Sequence, residues 1–233
     1  MPQSTGDPAG VDLFADEYVA DPDPVLRALR ENAPVHHDER TGLWLVSRYT
    51  DVRAALADPV VFHPGNALTA ITPISGEVMR VLARAGKSVT LPPSPTTSRP
   101  GSCAVCSASA RWTWVISTAT RMSGVDIPAG AQVLLMLAGT GSDPEVFADP
   151  EPLCPGRKGA RRHLAFDYGR HLCLGAGLAR LEAAEVLRAV TTAIPEVTLV
   201  DPDPPMLGLL SFRAPVEVLV RARTADETSR PGA

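Results

Sequence analysis

Acidic residues are missing from a fifth of this chain. Val78 to Val125 is a run of 48 positions that holds none of the 26 aspartates and glutamates, although the formal net charge of the whole is −4. A Ser/Thr/Pro linker would account for it; so would a segment never selected as protein. Long apolar runs are also lacking. The longest, Val133 to Ala138, is far short of the ~20 residues a membrane helix needs, so no membrane association is expected. Met1 to Gly10 is polar and has no basic-then-apolar layout of a signal peptide, which predicts a cytoplasmic location. Four cysteines in 233 residues do not make a disulfide framework. No excess of basic charge exists to hold nucleic acid.

The chain does have a 45% hydrophobic content, enough for a core, and 23 prolines, which imply short elements joined by rigid turns. Asp21 to Glu31 reads as a helix with prolines at its start and Val25, Leu26 and Leu29 on one stripe. Ala33 to His37 and Leu43 to Ser47 read as strands around a polar turn that ends in Gly42. Thr50 or Asp51 is expected to cap a helix running to Ala57, and Ser75 to begin another that ends at Ala85. Residues 88–120 show no convincing period. From Gly124, VDIPAGAQVLLML predicts a strand, a turn and a buried strand; Ala138 to Thr140 is placed in that strand region. Asp143 to Pro150 reads as a short helix or turn, and Pro152 to Arg162 as a basic loop. Val197 to Val200 and Val216 to Arg221 are strand-like, and a tail from residue 223 is expected to be disordered.

The most strongly marked segment is HLAFDYGRHLCLGAGLARLEAAEVLRAVTTAIP. Positions 174, 178, 181, 184, 187, 190 and 194 are apolar at spacings of three and four, one stripe of a helix ended by Pro195. Cys173 stands just before its first turn, where backbone N–H groups are unpaired and the helix dipole is positive. That setting suits a thiolate, the form of cysteine that binds metal. Gly169 permits a tight turn, and Gly175 lets the backbone approach a flat ligand. Phe166 is placed to shield the sulfur, and His171 to reach an anionic group at the ligand's edge. An inert buried cysteine beside an ordinary amphipathic helix is the plain alternative.

The run from Phe166 through Gly169, His171 and Cys173 to Gly175 resembles the haem-binding signature of the cytochrome P-450 family, Phe-x-x-Gly-x-x-x-Cys-x-Gly. GVDIPAGAQVLL, DPEVFADPEPLCPGR and DPDPVLRALRENAPVHHDERTGLWLVSRYTDVRAAL resemble other parts of bacterial members, so that about residues 12–93 and 120–222 are covered. The resemblance implies a mainly α fold with small antiparallel β-sheets (α+β), a truncated cytochrome P-450 fold. It implies haem b, iron protoporphyrin IX, with Cys173 as axial iron ligand and the metal's protein donor. Phe166 would tune the sulfur, His171 would bond a haem propionate, and Gly169 and Gly175 would shape the loop. The implied activity is that of a monooxygenase inserting one atom of O2 into a small-molecule substrate. A ferredoxin or flavoprotein would supply electrons, docking where Arg157, Lys158, Arg161, Arg162, Arg170 and Arg180 cluster.

The chain departs from the family between its two flanks, by on the order of 150 residues. The oxygen-handling Ala-Gly-x-x-Thr segment is absent, and Glu77-x-x-Arg80 has the spelling of the family's Glu-x-x-Arg pair in the wrong flank. Asp167 stands where bacterial members have glycine, and Leu153 and Cys154 replace a Phe-Asp step. Residues 94–119 are read as an atypical linker. A one-base shift of GC-rich codons for residues 94–107 permits an Asp-Pro-Pro step entering an Arg-rich stretch, as in the family. These gaps leave open a catalytically inactive haem-binding remnant or an interaction module. Cys103, Cys106, Cys154 and Cys173 could form a zinc site, but the second pair lacks close spacing.

Overall fold

A computed structural model of the chain describes residues 11–64, 113–150, 154, 156–194, 196–207 and 214–223. The predicted helix Ser75–Ala85, the Glu77/Arg80 pair and the Cys103/Cys106 pair lie outside the described residues. The chain divides into two compact units. The first takes in Met1–Ile71, Ser107–Cys173 and Gly208–Arg213; the second takes in Thr72–Cys106, Leu174–Leu207 and Ala214–Ala233.

In the first unit, α1 (Asp16–Ala20) and α2 (Asp23–Asn32) lead into strands β1 (Val35–Asp38) and β2 (Leu43–Val46), then α3 (Tyr49–Ala57) and β3 (Phe62–His63). Strands β4 (Thr113–Ile116), β5 (Thr120–Met122), β6 (Val125–Ile127) and β7 (Gln132–Leu135) follow, with one helical turn, α4 (Leu137–Thr140). The main sheet has the order β1-β2-β7-β4-β3, and β5 pairs with β6 apart from it. The class is α+β, as expected. All pairings are antiparallel except β2 with β7, which is parallel with Leu45 opposite Leu134.

The sequence pattern explains this placement. Side chains alternate between the faces of a strand. On β2, Val46 packs in one hydrophobic cluster while Leu43 and Leu45 pack in another; β7 divides Val133 and Leu135 from Leu134 in the same way. The apolar run at β7 is continuous because both faces of this central strand are buried. Leu26 and Leu29 of α2 cover one face. Val52, Ala55 and Leu56 of α3 cover the other, together with Leu164. The β1–β2 turn is set by Asp38, whose side chain accepts from Arg40 N (3.1 Å) and the Thr41 hydroxyl (2.5 Å). Gly42 closes it at φ +71°, a left-handed conformation that favours glycine.

Three local expectations are revised. Helix α3 begins at Tyr49, one residue before the predicted caps, because the carboxylate of Asp143 accepts from Tyr49 N at 2.9 Å. Asp51 accepts instead from the Ser123 hydroxyl at 2.5 Å. Ala138 to Thr140 is helical, not strand: Gly139 lies so close to Leu26 and Arg30 that an added Cβ would be 3.2 Å from the Arg30 guanidinium. Arg30, only 7% exposed, donates to Gly139 O (2.8 Å) and Ser142 O (3.1 Å). Asp143 to Pro150 forms turns, one of the two forms expected of it. The segment without a readable period ends in β4, and Trp114 there is buried in the core.

The second unit holds α5 (Ala176–Ala193) and the antiparallel pair β8 (Glu196–Leu199) with β9 (Val220–Arg223). Helix α5 forms where the three-and-four spacing predicts it and stops at Ile194. Its stripe is not buried: Leu178, Leu181 and Leu187 are 61%, 58% and 64% exposed, and Ala176 is the one buried residue on the helix. An amphipathic stripe records that a face needs cover, not what covers it.

Candidate functional site

The segment from Leu164 to Cys173 is a closed loop on the α3 side of the main sheet. Leu164 anchors it in the core. Asp167 N donates to Leu164 O at 2.9 Å, and Cys173 N donates back to Phe166 O at 2.9 Å, which closes the loop at the cysteine. Between them Gly169 to His171 makes one 3-10 turn. Gly169 adopts φ +64°, and a Cβ there would lie 3.3 Å from the carbonyl of Leu56 at the end of α3. Both facts favour glycine: the loop backbone lies directly on a helix. Asp167 also adopts a left-handed φ, +61°. This is the position where the family resemblance calls for glycine, and the backbone keeps the conformation that glycine would favour.

His171 packs edge-on against Trp114, with centroids 4.5 Å apart at 81°. Its Nε2 is buried and has no hydrogen-bond partner. Burial, with the nearby His63 adding to it, holds the imidazole below the ordinary histidine range. Oδ1 of Asp167 is likewise buried without a partner, and burial pushes this carboxyl up to about 6. Cys173 is a free, half-buried thiol, and Cys154 is free and exposed. The ring of Phe166 lies 5.9 Å from that of His163.

Four of the predicted site residues, Phe166, Gly169, His171 and Cys173, thus belong to one closed loop of the first unit. Gly175 is the N-cap of α5, in the second. Of the basic cluster, Arg157 donates to Ala148 O (2.5 Å) and to Asp149 O, and Arg162 lies over the ring of Tyr49, whose hydroxyl donates to Arg162 O at 2.8 Å. Arg161 and Arg170 are exposed. No three of the His, Cys, Asp and Glu side chains gather as a metal site among the described residues, so the zinc reading gains nothing there.

Trp114, Arg53 and Tyr168 were not singled out by sequence reasoning. Arg53 Nη2 donates to the Tyr168 hydroxyl at 2.6 Å, and its guanidinium lies 4.4 Å from the ring centroid. Trp114 comes from the stretch without periodicity, and no local signal there could have found it.

Residues 108–210 match the family model for Cytochrome P450. The chain is 44% identical over 82 residues to a cytochrome P450 BJ-1 homolog of Sinorhizobium fredii and 37% identical over 97 residues to a biotin biosynthesis cytochrome P450 of Bacillus subtilis. It is 44% identical over 78 residues to the cytochrome P450 monooxygenase PikC of Streptomyces venezuelae. These matches take in 35%, 42% and 34% of this chain and only 20%, 24% and 18% of those relatives. Among solved structures, the P450 heme domain of Tepidiphilus thermophilus superposes with TM-score 0.73 at 18% identity, covering 94% of this chain and 97% of that one. An intact type IV self-sufficient cytochrome P450 monooxygenase gives 0.77 at 19%, covering 97% and 55%. The architecture is therefore of the cytochrome P450 class. The segment that carries the cysteine loop matches the cytochrome P450 family, and the named relatives are bacterial. No helix among the described residues is long and apolar enough to cross a membrane.

Proposed function

We propose that this chain is a haem-thiolate protein of the monooxygenase type, in which Cys173 Sγ would hold the iron of haem b. The observation that carries the reading is the closed cysteine loop. Its one thiol is half-buried, its backbone lies on α3 through Gly169, and His171 presents a buried Nε2 with no partner. Those residues fit the group. A thiolate suits iron, and a buried imidazole nitrogen without a partner suits a propionate group.

Each residue then has a task of its own. Cys173 would hold the metal, and its backbone N–H is already satisfied by Phe166 O, so the loop need not rearrange. His171 would bond the cofactor's carboxylate edge through Nε2, which would satisfy a buried polar atom. Gly169 keeps the loop against α3. Bound haem would supply the activation of O2 for insertion of one oxygen atom into an organic substrate. A ferredoxin or flavoprotein donor and a small-molecule substrate complete the reaction. Arg161 and Arg170 offer exposed positive charge to an acidic donor.

The chain has no Ala-Gly-x-x-Thr segment in the expected place. We read residues 94–107 as the product of a shifted frame, with family-like sequence resumed by residue 108, where the family match begins. Sequencing of the locus checks this: an uninterrupted frame refutes it. Because of that gap, haem ligation and turnover are tested separately. The reduced, haem-loaded chain under carbon monoxide is expected to show the Soret position typical of thiolate ligation. Cys173→Ser is expected to lose that position. A Cys173→Ser protein with an unchanged spectrum would overturn the assignment, and substrate-dependent product formation then measures activity.

A further inference from the structure

Two consecutive residues of the cysteine loop meet one face of α3. Gly169 lies on the backbone of Leu56 and Ala57, at 3.3 and 3.8 Å from the position of an added Cβ. Tyr168 meets Arg53, three and four residues earlier on the same helix and hence on the same face. The Arg53 contact is double. The guanidinium donates to the phenol oxygen at 2.6 Å and also lies 4.4 Å from the ring centroid. Only a planar, delocalised cation with a fork of donors does both at once; an ammonium is a point charge.

Tyr168 stands inside the loop that Cys173 N closes on Phe166 O. A grip on Tyr168 therefore bears on where Cys173 stands. The hydrogen bonds at each end of the loop fix its closure, whereas Arg53 and Gly169 fix its placement on the helix. The sheet cluster behind α3, with Val52, Ala55 and Leu56 buried in it, makes the helix a rigid base.

We infer that Arg53 and Tyr168 form a clamp that positions the cysteine loop on α3 before any cofactor binds. Both are positioning residues, acting on Cys173 through the loop, and the inference rests on the reading of Cys173 as ligand. The clamp is exposed to water and contributes modestly to global stability. Its effect is local order, and that is where it is read.

The test uses the full chain, first without cofactor, by amide hydrogen exchange over residues 166–173 with β2 and β7 as internal reference. Loss of a charge-assisted hydrogen bond together with a cation–π contact is expected to speed loop exchange about fivefold in Arg53→Gln. Tyr168→Phe keeps the ring and loses the acceptor, with about a twofold change. Arg53→Lys is expected to fall between the parent and Arg53→Gln. The Arg53→Gln/Tyr168→Phe chain is expected to exchange no faster than Arg53→Gln alone, because both changes break one contact. In the haem-loaded, carbon-monoxide-bound chain, Arg53→Gln is expected to speed conversion from the thiolate-type to the thiol-type Soret band. Unchanged loop exchange in both single variants, or effects that simply add in the double variant, would overturn the clamp. Tyr168→Phe removes a single oxygen, so it decides for or against the clamp even where Arg53→Gln also loosens β2 and β7. An unchanged Cys173→Ser spectrum sinks the ligand reading instead, and the exchange data still decide the clamp.

Discussion

Replacing Asp167 with asparagine is expected to stabilise the chain at neutral pH, and to do so less as the pH falls. Oδ1 of Asp167 is buried without a partner, and burial raises its carboxyl from 3.8 to about 6. In full, that displacement corresponds to ~3 kcal/mol at ~1.36 kcal/mol per unit. Part of the side chain meets water, which screens the charge, so roughly half, ~1.5 kcal/mol, is the expected penalty. The folded chain keeps its proton up to about pH 6, whereas the unfolded chain releases it near 3.8. Between those values the folded state binds more protons, so stability falls as the pH rises. The penalty is complete above pH 6 and gone below 3.8. Asp167→Asn keeps the shape and removes the charge. It should raise Tm by about 3–6 °C at a pH of about 7.5, but only about 1–2 °C at a pH of about 4.5. Asp167→Gly also relieves the φ of +61°, where a side chain costs about 1 kcal/mol, offset by roughly 0.5–1 kcal/mol of backbone entropy. Thermal unfolding followed by circular dichroism at both pH values is the assay. An equal gain at both pH values would refute charge burial as the cause. A loss at neutral pH would mean that the carboxylate has a partner.

Gly169→Ala places a methyl 3.3 Å from the Leu56 carbonyl at φ +64° and should cost about 1–2 kcal/mol and weaken haem retention, read by unfolding and by haem titration. Arg30→Met removes the donors to Gly139 O and Ser142 O; it should cost about 2–3 kcal/mol in urea unfolding with an unchanged m-value. Asp143→Ala uncaps α3 by taking the acceptor from Tyr49 N and should cost about 1–2 kcal/mol, with faster amide exchange in the first turn of α3.

Local periodicity determined a good part of this protein. The three-and-four spacing from Leu178 to Val190 made α5, the prolines and Leu26/Leu29 made α2, and the apolar run at Val133 made the central strand. The cysteine loop was legible for the same reason: Phe166, Gly169, His171 and Cys173 are close in sequence, and one closing hydrogen bond gathers them. What stayed illegible comes from distant residues. The carboxylate that caps α3 is 94 residues away from it, and the arginine that meets Tyr168 is 115 residues away. Trp114 beside His171 lies in a stretch with no pattern at all.

The amino-acid order by itself set which segments curl, which extend and where a thiol stands before a helix, because those depend on neighbours a turn away. Only the tertiary structure decided that α3 is the base of the cysteine loop and that the imidazole of His171 and the carboxyl of Asp167 each bury an atom with no partner. It also left the α5 stripe exposed. Burial is a property of everything that packs around a residue, and no window along the chain contains that.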